Sequence, residues 1–271
     1  GLQAAVTAAK SGKKVLVIEQ TAHWGGRAPV DGGEVAGEPV GNFVGKCVAT
    51  LESMKNVELR TRMMGAGVYD HGYLIAYERL SDHKPEAAGP RHRLWRIRAQ
   101  SIITATGAIE RPLAFADNDK PGVLLASALR DYIVDYGVSF GDRTVVVTNN
   151  DDAYLTAIAV KNVGLEISAI VDARPSGAGE LGEQVKALGI RVETGKGIAK
   201  VLGGKRVTGV AICAQAGEGS VLEEIACDCV AMSGGWSPVV HLYSHCGGKL
   251  LWDSEKLMFH PDVHNYPKDH N

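Results

Sequence analysis

Gly1-Leu2-Gln3-Ala4-Ala5-Val6-Thr7-Ala8-Ala9-Lys10-Ser11-Gly12-Lys13-Lys14-Val15-Leu16-Val17-Ile18-Glu19 is the stretch from which the fold can be read. Leu2, Ala5, Val6 and Ala9 recur at the i, i+3, i+4, i+7 spacing of an amphipathic helix, and Gly12 stands where a helix-terminating glycine is expected. Val15 to Ile18 is a short apolar run suited to a parallel strand buried on both faces. A helix feeding such a strand is part of a βαβ unit whose first strand would precede Gly1, so the sequence reads as starting inside a motif. In a dinucleotide fold, the third glycine of the phosphate-binding turn lets the helix pack closely on the sheet, and an acid about 20 residues on takes the ribose hydroxyls. Gly1 and Glu19 fit those two places. A plain βαβ unit, with Glu19 as a solvated strand-end carboxylate, fits the same residues. Gln20 follows Glu19 and no basic residue adjoins it, so a 2′-phosphate finds no cation and NADP is disfavoured.

Two further signals lie downstream in the expected order. Trp24-Gly25-Gly26-Arg27 follows the acid, where flavoprotein-type folds bring a glycine pair and a polar group towards the cofactor. Ser101-Ile102-Ile103-Thr104-Ala105-Thr106-Gly107 reads as a strand ending in an Ala-Thr-Gly turn that brings backbone close to a cofactor. A second βαβ unit is expected from the strand Arg143–Val147, a helix from about Asp152 to Val163 ended by Gly164, and the strand Ile167–Val171. Its strand-to-helix turn, Thr148-Asn149-Asn150-Asp151-Asp152-Ala153, has no glycine and sets two carboxylates where a pyrophosphate would bind. That second site reads as structural, with the Asp and Asn residues of the turn, Asp151 and Asp152 among them, capping the helix.

Leu124 to Tyr136 reads as an amphipathic helix stopped by Gly137, and Gly179 to Leu188 as another. Strands are expected at Ile190–Glu193, Gly197–Leu202 and Arg206–Cys213, with a returning strand at Ile225–Met232. The expected architecture is α/β, a Rossmann-type, two-dinucleotide-domain flavoprotein-like fold. Its first domain is discontinuous (1–110 plus 230–271) and lacks its first strand; the inserted α/β domain (111–229) carries the degenerate nucleotide site.

Composition agrees with a soluble, cytoplasmic protein. With 29 basic and 31 acidic residues the formal net charge is −2, which gives no footprint for nucleic acid. No apolar run reaches the roughly 18–20 residues of a membrane span, and no secretory signal opens the chain. The five cysteines form neither a CxxC pair nor an even disulfide framework. His241 and His245, beside Cys246, have helical spacing for two metal ligands but no completing partner, and read as solvated or satisfied histidines, with no metal.

Thr106-Gly107-Ala108-Ile109-Glu110-Arg111-Pro112-Leu113, Phe115-Ala116-Asp117-Asn118-Asp119 and Pro121-Gly122-Val123 resemble the alpha subunits of heterotetrameric sarcosine oxidases. Tyr69-Asp70-His71, Glu78-Arg79, Arg93-Leu94-Trp95, Thr148-Asn149-Asn150-Asp151 and Ser233-Gly234-Gly235-Trp236 through His241-Leu242 fit the same pattern. The resemblance runs through nearly the whole chain. It lacks the family's region before Gly1 and everything after Asn271, including the folate-binding, aminomethyltransferase-like half. It implies an oxidoreductase acting on CH–NH donors, with noncovalent NAD in the first dinucleotide site. FAD and the amine-oxidising site are implied on a beta subunit, FMN near the alpha–beta boundary, and gamma and delta subunits as further partners. Sarcosine would be oxidised by oxygen to glycine, hydrogen peroxide and a one-carbon unit that tetrahydrofolate captures. Carried over, Gly1 packs beneath the pyrophosphate and Glu19 holds the adenosine ribose. Gln20, Thr21, Gly25, Gly26 and Arg27 line the cofactor, as do Ala105, Thr106 and Gly107. A strand Leu59–Gly65 would offer backbone to adenine at Met64 and Gly65, where Met63, Met64 and Gly65 depart from the smaller or β-branched residues usual in the family. No catalytic residue is assigned to this chain. A related flavin-dependent amine or opine oxidase, a cyanide-forming glycine oxidase subunit, and a non-catalytic NAD-binding scaffold stand as alternatives.

Overall fold

A computed structural model describes residues 1–215 and 220–265, which divide into two compact units: 1–108 with 238–271, and 109–237. The end of the stretch read as cut, 266–271, lies outside the described residues. No helix among the described residues is long and apolar enough to cross a membrane.

In the first unit the helix Leu2–Lys10 leads into the strand Val15–Ile18, which pairs in parallel with Val57–Arg60. Ala5, Val6 and Ala9 are buried against Cys47 and Leu51 of a second helix, Val40–Glu52. The sequence does not announce this second helix. Gly41 and Gly45 and the β-branched Val40, Val44 and Val48 all weaken its intrinsic propensity. Phe43, Cys47 and Leu51 nevertheless fall at i, i+4, i+8 and pack into one core, and tertiary burial decides. An antiparallel sheet of Met63–Tyr69, Tyr73–Arg79 and His92–Arg98 follows, and the hairpin Leu250–Asp253/Met258–Pro261 belongs to this unit too.

Two strand expectations need correction here. The run Leu59–Gly65 is not one strand: Arg62 takes a positive φ of 56° and divides Val57–Arg60 from Met63–Tyr69, which join different sheets. Residues 101–107 form no ladder, although Ile102-Ile103 has strand composition. A β-prone run becomes a strand only when neighbouring backbone pairs with it, and Ile103 remains 66% exposed.

The second unit is layered around a parallel sheet in the order Val192–Thr194, Glu166–Asp172, Arg143–Thr148, Cys229–Ser233, Val123–Leu125. Alternation along the central strand shows why: Val146 enters a core with the helices Ala126–Tyr136, Asp152–Asn162 and Gly179–Ala187, whereas Val145 and Val147 enter another with the antiparallel strands Lys196–Leu202, Gly209–Ala214 and Val221–Ala226. Cys229 and Cys227 divide between the same two cores. The expected returning strand 225–232 is two strands: Ile225 ends in the antiparallel sheet and Cys229–Ser233 enters the parallel one. Because 229–233 pairs at the centre of this unit, the chain returns to the first unit at 237–238 rather than near 230, and leaves it after 108 rather than 110.

Candidate dinucleotide site

The helix Leu2–Lys10 begins at Gly1 with no side-chain cap and no acid in its first turn. No acid of the helix's own first turn opposes its positive dipole end, and such an end favours a phosphate. A Cβ placed on Gly1 would lie 3.1 Å from the Cβ of Ala105. Glycine at position 1 therefore permits the approach of helix to the 101–107 segment, and Gly1 and Ala105, far apart in sequence, are brought together.

Glu19 follows directly on the strand Val15–Ile18, its N–H donating to the Arg60 carbonyl at 2.8 Å. The backbone N–H and hydroxyl of Thr21 both donate to Glu19 Oε1, at 2.8 and 3.1 Å. Oε2 receives no hydrogen bond from a described residue and can accept from a diol. The Gln20 carbonyl accepts from Arg79 Nη2 at 2.7 Å. The expectation of no nearby cation is therefore revised: the sheet brings Arg79 beside Gln20 from 59 residues away, which no local motif could announce.

The remaining positions divide. Gly25 and Gly26 both take positive φ, 103° and 58°, and a Cβ on Gly25 would press on Val44 at 3.0 Å. Arg27 pairs with Asp31 at 2.9 Å, one turn along its own short helix. Met64 is 46% exposed, while Gly65 lies against Leu242, whose Cδ1 would be 3.2 Å from an added Cβ. Gly65 thus packs closely on a side chain, and its Cβ-free surface is taken up within the fold. The Thr106 hydroxyl donates to the Val239 carbonyl at 2.6 Å, and the Gly107 carbonyl accepts from the Val239 N–H at 2.9 Å. Val239, like Arg79, enters from a distant part of the chain.

The matching crevice of the second unit is built differently. Asp172, at the end of its strand, is fully buried and accepts from Tyr154 Oη and Arg174 Nη2, each at 2.8 Å. Arg174 also pairs with Asp151 at 2.6 Å. Burial and the Asp172 hydrogen bond push the Tyr154 phenol well above its usual range, and the same carboxylate holds the Arg174 guanidinium charged. Buried Arg130 grips Asp152 with Nη2 at 2.9–3.0 Å to the two carboxylate oxygens. Neither aspartate caps the helix through its side chain; Asn150 Oδ1 takes the Asp152 N–H instead, at 3.1 Å. The carboxylates expected to cap serve as salt-bridge partners. No group of three or more His, Cys, Asp or Glu side chains suited to a metal occurs among the described residues.

No protein-family profile matches the chain. Its fold is shared with solved dehydrogenases and reductases: L-proline dehydrogenase from P. horikoshii aligns over 99% of this chain and 46% of its own, with a TM-score of 0.70 at 20% identity. Thioredoxin reductase from T. acidophilum aligns over 94% and 81%, with a TM-score of 0.69 at 17% identity. In sequence, the chain is 36% identical over 261 residues to sarcosine oxidase subunit alpha of Rhizobium meliloti (strain 1021), and 38% identical over 272 residues to that of Corynebacterium sp. (strain P-1). These alignments take in 96% and 97% of the chain but only 26% and 28% of the relatives. The chain is thus, along nearly all its length, a relative of sarcosine oxidase alpha subunits, spanning about a quarter of theirs.

Proposed function

We propose that the chain is the nucleotide-holding part of a sarcosine oxidase alpha subunit, with NAD in the first unit. The observation that carries the reading is the contrast between the two crevices. Helix 2–10 presents an N-terminus without acid or cap, with Glu19 following the adjacent strand, whereas helix 152–162 presents aspartates already bound to arginines. Gly1, Ala105, Glu19 and Thr21 would hold the dinucleotide: the helix N-terminus facing its pyrophosphate, Glu19 Oε2 its ribose diol. The bound dinucleotide supplies a redox-capable nicotinamide, or a structural element, to the assembly. In that division of labour the unit 1–108 with 238–271 corresponds to the dinucleotide domain, and the unit 109–237 to an inserted domain that binds none.

The reaction served would be oxidative demethylation: sarcosine, oxygen and water give glycine, formaldehyde and hydrogen peroxide, with tetrahydrofolate able to take the one-carbon unit. Partner subunits carrying FAD, with FMN at their boundary with this chain, would perform the amine oxidation. The test is co-expression of the complete reading frame that encodes the chain with the subunits of its oxidase, followed by chromatography of the released nucleotide. One NAD per alpha chain and peroxide formation with sarcosine are expected. Released FAD in place of NAD overturns the cofactor assignment, and preference for an opine or glycine overturns the substrate.

A further inference from the structure

The antiparallel sheet of the first unit has two unlike faces. Met63, Val68, Leu74 and Ala76 are buried on one, as is Glu78, which accepts from Trp95 Nε1 at 2.7 Å and pairs with Arg60 and Arg93. On the other face the register sets Tyr77 opposite Leu94, Ile75 opposite Arg96 and Tyr73 opposite Arg98, with Tyr69 beside Tyr73 on the next strand. Leu94 is 64% and Tyr69 48% exposed. The rings are already ordered: Arg98 stacks over Tyr73 at 5.0 Å, Tyr77 lies against His92 at 5.0 Å, and Tyr69 folds over Gly67. Glu78, buried on the opposite face, is the sole carboxylate within the three strands.

We propose that this open face is a docking surface for an acidic face of another subunit of the oxidase. Tyrosine and arginine are the residues that interface cores concentrate, while Lys, Glu and Asp are depleted there, and the three strands contain no lysine. Order in the rings lowers the entropy lost on binding. Charge selects the occupant: Arg96 and Arg98 are exposed, and the strands bring no carboxylate to this side, so the facing surface supplies the carboxylates. A chain of net charge −2 has no general excess of basic residues to scatter there. At about 4.8 Å between strands and 3.4 Å per residue, the face spans on the order of 300 Å². That is less than half of the roughly 800 Å² each partner buries in a standard interface, so the face is the anchor of a larger contact.

The inference rests on the oxidase reading, and its test separates the two. The complete alpha protein is co-expressed with the other oxidase subunits, as wild type and as R96E/R98E and L94D, and the subunits retained on a tagged alpha chain are counted across a salt series. All three substitutions are at positions exposed in this chain; unchanged thermal midpoints of the complete alpha protein serve as the folding control, and lowered midpoints assign the face to the rest of the alpha chain and overturn the proposal. Wild type should retain a partner that the charge reversal loses by roughly tenfold or more, with retention falling as salt rises. L94D should lose it as well. Equal retention by wild type and variants overturns the docking face alone. Absence of any retained subunit from wild type overturns the oxidase reading and this face together. Capture of nucleic acid or anionic vesicles, or self-association of the alpha chain through this face, assigns the face to another occupant and overturns the proposal.

Discussion

At Glu19 one carboxylate oxygen is held by the N–H and hydroxyl of Thr21, so the other is oriented before a ligand arrives. Charge-assisted hydrogen bonds of this kind contribute about 1.5–3 kcal/mol. Glu19→Ala in the complete protein should therefore weaken nucleotide binding by roughly ten- to a hundredfold in calorimetry, with little change in thermal midpoint. Gly1→Ala should cost about 1 kcal/mol from crowding against Ala105, and Ala105→Gly in the same chain should restore the midpoint, because it removes the atom met at 3.1 Å. The cysteines give a pH test. Burial raises the Cys227 thiol to about 12 and Cys229 to about 11. A folded value above the unfolded one contributes stability that is complete below the ordinary thiol range near 8.5 and disappears as pH rises through 11–12. The thermal midpoint should fall above about pH 9, and Cys227→Ala with Cys229→Ala should flatten that fall. Native alkylation at pH 8.5 should reach Cys213 and Cys246 and spare Cys227 and Cys229.

At the scale of elements, the two ion pairs at the start of helix 152–162 predict unequal effects. Asp152→Ala takes from Arg130, whose side chain is 1% exposed, a carboxylate at 2.9 Å while leaving it the residue-152 carbonyl, and should cost about 1.5–3 kcal/mol. Asp151 is 57% exposed, and Asp151→Ala should cost about 0–1 kcal/mol. Chemical denaturation of both variants measures the difference; equal losses would contradict the assignment. Why some elements are legible in sequence and others are not follows from the same comparison. Val145, Val146 and Val147 announce a strand buried on both faces because each face has its own core. Helix 40–52 is silent because packing overrides propensity, and Ile102-Ile103 misleads because composition does not report whether a ladder partner is present. Asp151 and Asp152 announce carboxylates at the second strand-to-helix turn, but their partners Arg174 and Arg130 are visible only once strands and helices converge.

At the scale of the whole molecule, two units built on related βαβ chemistry should differ in nucleotide binding. Gly1 and Glu19 were legible because both belong to one local spacing, whereas Arg79 and Val239 reach the same site from distant segments. Nucleotide stoichiometry should be one per chain, and Asp151→Gly with Asp152→Ala should leave it at one, because Arg174 still pairs with Asp172. Bound nucleotide after gel filtration reads this directly, and a second equivalent would reverse the assignment of the two crevices.

The knot of Tyr154, Asp172, Arg174 and Asp151 also bears on history. Removing Arg174 leaves the buried Asp172 carboxylate without its cation; removing Asp172 leaves Arg174 only the exposed Asp151 and takes the acceptor from the Tyr154 phenol. Gaining phosphate affinity further requires glycine in the turn and loss of two aspartates. The steps at the buried groups lower stability before any step confers binding. Descendants of this sequence should therefore drift readily in the exposed Asp151 yet keep the buried trio together, a ratchet that makes a phosphate-binding turn hard to gain here.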